Sequence, residues 1–544
     1  MARKSSFSIC EAAEMVFPDP IATSNSVEHN TQYIYPDLEK GTASSDLDRM
    51  KVRNLGENGN EKLTPFERES LCTTPMSEEP QSDILEFYGK GDPLHPFNWS
   101  VKRKVFISFI LGFTTFTVAF SSALFSTATS HVAKEFHVSD EVGVLGVSLY
   151  VLGFATGPVF WAPLSELQGR RWPIVVSLLM FAVFQLGVAA GKDLQTVLLC
   201  RFWSGLSGAS PMTIGAAIFS DMFDDRTRGL AITVFSMNVL TAPLLAPFVG
   251  GFITENLGWR WTAWIVAIMG FVAFGLDLVF LKETYGPKIL SSKAAELRRR
   301  TNNWAIHTNY DEVELDMRQL LTNNFTRPLR LLFLEPLILL LSAYLAFIYG
   351  LLYLFLTAYP IVFQQIHGMS QGVGGLPYLA MVLGMFLAGF TIILTQPWYQ
   401  RKLAENNGVV IPEWRLPPAI FGGFMFAIGV FWLGWSGYKK DIHWIAPTLS
   451  GIFTGYGLLS IFLQSLNYLV DSYLLYAASA NAGSTILRSL CGAGFPLFAS
   501  AMFKNLGVNW ACTLLGGIAT ICVPIPVLFY IYGHKLRERS KFAG

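Results

Sequence analysis

Twelve long apolar runs between Lys104 and Gly533 constrain this chain more than any other feature. The hydrocarbon layer of a bilayer is about 30 Å thick, and a helix needs about 20 apolar residues to cross it. Each of the runs is long enough to cross this layer as a helix. The sequence therefore predicts an all-α membrane protein with twelve transmembrane helices. The expected spans are 104–128, 142–163, 172–190, 196–220, 229–254, 260–281, 336–359, 373–396, 415–436, 443–468, 476–503 and 507–533.

The composition agrees with burial in a membrane. Hydrophobic residues make up 52% of the chain and charged residues 15%, whereas soluble domains carry about 25% charged residues. The formal net charge of +1 argues against a nucleic-acid partner. The sequence has no HExxH, CxxC or GxSxG motif, and Gly187–Asp193 lacks the spacing of a phosphate-binding loop. We therefore expect no enzyme activity, no metal, no cofactor and no direct coupling to ATP.

The apolar runs divide into two halves of six. Residues 1–95 are polar without a sustained period, which predicts a disordered cytosolic tail. We expect an N-terminal six-helix lobe at 96–281 and a C-terminal six-helix lobe at 336–533. The charged stretch 282–335 is the expected cytosolic central loop, and 534–544 the expected C-terminal tail. A 6+6 plan with a long central loop is typical of two-lobed secondary transporters.

Lysine and arginine placement predicts the orientation, because basic flanks stay in the cytosol. Basic residues cluster before span one at Lys102–Lys104, after span twelve at Lys535–Lys541, and in the central loop. Both termini and the central loop are therefore expected in the cytosol. The glycosylation sequons at Asn98 and Asn324 would then face the cytosol and remain unmodified.

Four of the ionisable residues inside or near the ends of the predicted spans are of particular interest. A charge there costs about 2.5–3.5 kcal/mol on insertion scales, so each is a functional candidate. Arg201 lies inside span four and Arg488 inside span eleven, whereas Asp277 and Asp471 lie near span ends. Each has a structural alternative. Arg201 could hydrogen-bond the backbone of a neighbouring helix, Arg488 could be a packing cation, and the two acids could reach the interface and stay solvated.

Polar and aromatic residues recur at helical spacing in spans seven, ten and eleven, which predicts water-lined helix faces. Together they indicate a central cavity suited to amphipathic or weakly cationic molecules, because aromatic faces attract both. The alternative is that these groups only form hydrogen bonds between helices. The residues expected to line the cavity are Tyr349, Tyr353, Gln464, Asn467 and Asn481.

Span five carries Pro243, Pro247, Gly250 and Gly251 within nine residues. Proline removes a backbone donor and kinks a helix, and glycine allows a neighbouring helix to approach closely. The pattern predicts a kinked helix that packs tightly against a partner and can hinge.

Three motifs resemble those of the major facilitator superfamily. The loop Ala162–Arg171, which reads APLSELQGRR, is similar to the signature loop of the superfamily. Ala246–Gly251 resembles the antiporter motif of the twelve-span drug–proton antiporters, and Arg201–Gly205 resembles their span-four motif. The resemblance extends over about residues 92–543 and includes matches to the fungal multidrug and polyamine branch.

The resemblance implies a major facilitator fold and a proton-coupled antiporter in a fungal plasma membrane. The cargo would be a hydrophobic or amphipathic small molecule such as a drug, toxin, secondary metabolite or polyamine. Protons and the bilayer are the other expected partners of a monomer. The candidates for transport and coupling are Arg201, Asp277 and Arg488. The expected cytosolic gate, whose ion pairs could tie the lobes together in one conformer, is Glu166, Gly169, Arg170, Arg171 and Asp471. The antiporter motif contributes Pro247, Gly250 and Gly251.

Two other functions fit the same fold. One is a proton-coupled importer of a nutrient or organic acid, and the other is a membrane sensor that transports nothing. The proline–glycine motif of span five favours the exporter, because in the resembling families it accompanies exchange.

Overall fold

In the described part of the chain, long helices lie at the positions of the twelve apolar runs. The computed structural model describes residues 84–87, 91–312, 317–407, 409–473 and 477–539. The first ten spanning helices are α1 (Val101–Leu124), α2 (Asp140–Gln168), α3 (Arg171–Ala190), α4 (Leu194–Met222), α5 (Asp225–Leu257), α6 (Arg260–Phe280), α7 (Pro336–Tyr359), α8 (Tyr378–Glu405), α9 (Pro417–Gly437) and α10 (Ile445–Ser472).

The last two spans are joined by a single break. The helical stretch Ala477–Cys522 loses helical geometry at Gly507, whose φ of 79° favours glycine. We call the part before the break α11, and the part after it together with Pro524–Arg539 α12. Ten described stretches are long and apolar enough to cross a membrane, and the last of them, Ser479–Glu538, contains both α11 and α12. Helix α4 is outside those ten because small and polar residues dilute its apolar ones.

The helices form two lobes, α1–α6 and α7–α12, as expected for the predicted fold class. Within the first lobe α2 packs on α4 and α3 on α6, and within the second α7 packs on α11 and α9 on α10. Glycine makes the α2–α4 crossing possible, because a Cβ at Gly153 or Gly205 would collide with the backbone of the other helix. Contacts between the lobes run mainly through α2 with α11 and α5 with α8.

The predicted central loop is largely helical. Residues 282–335 contain the helices Gly286–Thr301, Asn309–Glu312 and Met317–Leu334. Proline in the first turn of Gly286–Thr301 costs no hydrogen bond, and Asn302, with φ of 54°, ends that helix. Charge alone marked this stretch as a loop, but charged residues also form good surface helices.

The parts of the two predicted tails that adjoin the helices are ordered. For residues 84–87 and 91–95 this differs from the expected disorder of 1–95. The backbone N–H of Leu85 donates to the carbonyl oxygen of His307 at 2.8 Å. The rings of Phe87 and His95 pack edge to face at 4.7 Å. At the other end, residues 534–539 continue the helix Pro524–Arg539. The predicted disorder of residues 1–83 lies outside the described residues.

Candidate functional site

Two cavities lie between the lobes, one above the other. We call the side where α1 begins and α12 ends the terminal face, and the opposite side the distal face. The distal cavity has a volume of about 190 Å³, and its wall includes Ser126, Thr127, Val147, Pro247, Tyr353, Gln371, Pro496 and Ser500. The terminal cavity has a volume of about 350 Å³, and its wall includes Glu166, Arg170, Met212, Thr213, Tyr349, Asn481, Thr485 and Arg488.

A layer of three hydroxyl groups lies between the two cavities. Ser122 Oγ of α1 and the Tyr353 hydroxyl of α7 are 2.9 Å apart, so a hydrogen bond joins the lobes at this level. The Tyr353 and Tyr349 hydroxyls are 3.5 Å apart. Tyr353 lines the distal cavity and Tyr349 the terminal cavity. We call Ser122, Tyr349 and Tyr353 the tyrosine bridge, because they form the boundary between the two spaces.

Arg201 is buried beside the tyrosine bridge and holds three helices together. Its side chain is only 2% exposed. Nε donates to the carbonyl oxygen of Gly146 at 2.9 Å, and Nη1 to that of Ser121 at 3.3 Å. The guanidinium carbon lies 4.3 Å from the ring centroid of Tyr150. Arg201 therefore forms the hydrogen bonds to neighbouring backbones that were considered as its alternative role. Through these carbonyl oxygens it links α4 to α1 and α2.

A buried glutamine that the sequence analysis did not single out completes this network. Gln185 Nε2 donates to Ser121 Oγ at 2.9 Å and to Ser204 Oγ at 2.7 Å. Gln185 is 1% exposed. The sequence feature that could have identified Gln185 is its amide within the largely apolar run of span three, because a buried amide needs hydrogen-bond partners.

Asp277 is fully buried, which overturns the expectation that it could stay solvated. It lies near the C-terminal end of α6 with 0% exposure. Thr114 Oγ1 of α1 donates to Asp277 Oδ2 at 2.9 Å. Oδ1 has no hydrogen-bond partner among the described residues. The charged form of this buried carboxyl group is therefore poorly compensated.

Arg488 lies in the wall of the terminal cavity. Its guanidinium carbon lies 4.9 Å from the ring centroid of Phe462 and 5.5 Å from that of Tyr349. Nε and Nη1 are buried and donate to no acceptor in the described structure. Arg488 thus faces aromatic rings instead of the carbonyl oxygens that surround Arg201.

The predicted gate loop is held within its own lobe in this structure, and the ion pairs expected between the lobes in one conformer stay a prediction. Arg170 Nε lies 3.2 Å from Asp221 Oδ2 at the end of α4. The carboxylate of Glu283, which follows α6, accepts from the backbone N–H groups of Arg170 and Arg171 at 2.8 and 3.2 Å. Gly169 has φ of 89°, and a Cβ there would collide with Glu283. The loop therefore joins the ends of α2, α4 and α6.

Asp471 belongs to a matching arrangement in the second lobe. Arg415 Nε, between α8 and α9, lies 2.9 Å from Asp471 Oδ2 at the end of α10. Arg537 Nη2 of α12 lies 2.8 Å from Glu413 Oε1. Asp471 was expected at the gate between the lobes, but its described partner is in its own lobe. Ion pairs and hydrogen bonds thus tie helix ends together on the terminal face of each lobe.

The predicted cavity residues are divided among different places. Tyr349 and Asn481 line the terminal cavity and Tyr353 lines the distal cavity. Gln464 instead lines a separate space of about 410 Å³ among α8, α9, α10 and α12. Asn467 is half-buried and is absent from the wall of every cavity described here. The polar stripe of α10 therefore faces away from the space between the lobes, a rotation that helical spacing alone could not predict.

Helix α5 closes the distal face against the segment that follows α7. Glu255 Oε2 accepts from the backbone N–H of Gly372 at 3.0 Å. A Cβ at Gly251 would collide with the carbonyl oxygen of Gln371, whereas a Cβ at Gly250 would meet Thr127 Oγ1 at 2.8 Å. Gly250 thus packs within the first lobe and Gly251 across the lobe boundary, so the tight packing expected of span five is present.

We expect Gly251→Val to lower transport by about tenfold or more. Overpacking against backbone costs about 1–3 kcal/mol, and here the cost falls on the conformer in which the distal face is closed. Abundance in the membrane should change little, since the clash disappears when the distal face opens. The measurement is transport of a labelled substrate per molecule at the surface. Gly275→Val is the matched control, because nothing lies within 4 Å of a Cβ at Gly275. Equal transport by both variants would mean that the α5 contact does not have to close.

The comparisons with known proteins agree with this architecture. A sequence profile of the Major Facilitator Superfamily matches residues 111–496. The chain is 46% identical over 472 residues to the major facilitator superfamily multidrug transporter FLU1 of Candida albicans, covering 86% of this chain and 77% of that one. It is 45% identical over 469 residues to the multidrug transporter TPO1_2 of Candida glabrata, covering 86% of this chain and 81% of that one.

A solved structure has the same fold. The proton:xylose symporter XylE superposes with a TM-score of 0.57 at 16% identity, covering 80% of this chain and 96% of XylE. At that identity the likeness concerns the fold alone. The relatives are named as transporters, and the chain has the spanning helices of a multi-pass membrane protein. The chain therefore belongs to the Major Facilitator Superfamily, and it is a transporter and not an enzyme.

Proposed function

We propose that this protein exports hydrophobic or amphipathic small molecules from the cytosol in exchange for protons, across a fungal plasma membrane. Both termini would lie in the cytosol, which makes the terminal face cytosolic. The similarity to FLU1 and TPO1_2, both named multidrug transporters, supports the substrate class.

The observation that carries the proposal is the tyrosine bridge between two stacked cavities. A cargo molecule would enter the terminal cavity, and it could pass only if the contact between Ser122 and Tyr353 opened. Because that hydrogen bond joins the lobes, it would break and re-form as the lobes rock. The larger terminal cavity would accept cargo, and the distal cavity would release it.

Proton coupling would pass through α1. Thr114 of α1 binds Asp277, and Ser122 of the same helix belongs to the tyrosine bridge. The two positions are eight residues apart, or about 12 Å along a helix. Protonation of Asp277 would remove a buried charge and weaken the bond that Thr114 donates. A shift of α1 would then reach the bridge through a rigid helix.

A transport experiment tests export against import. Yeast cells without their own drug pumps would express the protein and be loaded with a fluorescent amphipathic dye. We expect faster loss of dye than from cells with empty vector, and we expect a protonophore to abolish the difference. Uptake of dye or of an organic acid driven by an inward proton gradient would contradict the proposal. Tags at both ends should be protected from external protease.

A further inference from the structure

The terminal cavity contains a cation that no described carboxylate neutralises. Arg488 contacts the rings of Phe462 and Tyr349, and the described ion pairs do not include it. The face of an aromatic ring attracts a guanidinium group much more weakly than a carboxylate does. A partly buried cation without an anion is unfavourable unless a ligand supplies the opposite charge.

The other charged groups of the cavity do not supply that charge. Arg170 is a cation and already pairs with Asp221. Glu166 lies two residues before the end of α2, whereas Arg488 lies eleven residues into α11. At 1.5 Å per residue these positions are about 3 Å and about 16 Å from the terminal ends of their helices. Glu166 is therefore at the mouth of the cavity, and the deep part is positively charged.

Resting on the proposed export function, we infer that the terminal cavity selects cargo with a carboxylate or similar anionic group attached to an aromatic body. The guanidinium group of Arg488 would bind the anion, which suits its planar array of donors. Tyr349, which lines the cavity, would stack on the aromatic part.

Two matched probes test this inference. Inside-out vesicles with an acidic lumen would be given radiolabelled 2-naphthoate or its neutral amide, 2-naphthamide. Passive leak of the acid favours the alkaline side, so it opposes the accumulation to be measured. We expect vesicles with the wild-type protein to accumulate naphthoate about tenfold faster than naphthamide. Equilibrium binding to purified protein should show the same preference without depending on the proton gradient.

Variants assign the preference to Arg488. Arg488→Gln should lower the ratio of naphthoate to naphthamide transport to about one, and an unchanged amount of the protein in the membrane would show that the variant folds. Lys504→Gln, which removes an exposed charge near the distal end of α11, should leave both rates unchanged. Arg488→Lys should retain part of the preference.

The outcomes separate the inference from the proposed function. If the wild-type protein exports dyes but binds and moves naphthoate no better than naphthamide, the inference fails and export stands. Retention of the full preference by Arg488→Gln would also overturn it. If the protein moves neither the dyes nor the two probes, the proposed function fails, and the inference fails with it.

Discussion

Arg201→Ala is expected to abolish transport while the protein still reaches the membrane. The guanidinium group binds backbone carbonyls of Gly146 and Ser121, and Nη2 also reaches the carbonyl oxygen of Ser122 at 3.5 Å. Ser122 forms a hydrogen bond with Tyr353 of the other lobe. Without Arg201 the turn of α1 at the tyrosine bridge would lose its support from α4. We expect a loss of about 100-fold, the scale for removing several charge-assisted bonds.

The measurement is dye efflux divided by the amount of protein at the surface. Arg201→Lys keeps the charge but has one donor group in place of the planar fork, so we expect partial activity. Arg299→Ala in the helix Gly286–Thr301 is the control, because that arginine is exposed. Wild-type efflux from Arg201→Ala would remove Arg201 from the mechanism. Loss of the protein from the membrane in both Arg201 variants would assign it to folding instead.

Asp277→Asn is expected to uncouple transport from the proton gradient. Asparagine has the shape of a protonated aspartate but cannot release a proton. Thr114 can still bond the amide oxygen, so the contact between α1 and α6 should survive. We expect accumulation driven by a pH gradient to fall about 100-fold, while exchange of labelled for unlabelled substrate at equal pH continues.

Vesicles with and without a pH gradient separate these two activities. Asp193→Asn is the control, because Asp193 is an acid in the exposed turn before α4. Thr114→Val should give an intermediate effect, since it removes the partner and leaves the acid. Gradient-driven accumulation by Asp277→Asn at the wild-type rate would exclude Asp277 as the proton carrier.

Local patterns in the sequence were enough to predict much of this protein. Each apolar run had to become a helix because lipid offers no partner for backbone groups, and all twelve runs coincide with helices. The close packing of span five at Gly251 was also readable, because glycine allows a neighbouring segment to approach closely. These features depend on residues near one another in the chain.

Partners that lie far apart in the chain were not readable. The sequence marked Arg170 as a gate residue, but it did not show that Asp221 and Glu283 would bind it within its own lobe. The sequence did not decide whether Asp277 is solvated or buried, and the structure buries it beside Thr114. Helical spacing placed Gln464 on a polar face, but only packing decided that this face points away from the central cavities.

The sequence by itself determined the number of spans, the two halves and the rare charges that had to be placed in them. Hydrophobicity and residue spacing decide these properties locally, because solvent acts on each segment separately. Only the tertiary structure decided which charges found partners, that a hydroxyl layer separates two cavities, and that Arg488 was left facing the larger one. These depend on how each helix rotates against its neighbours, and rotation is set by packing between distant segments.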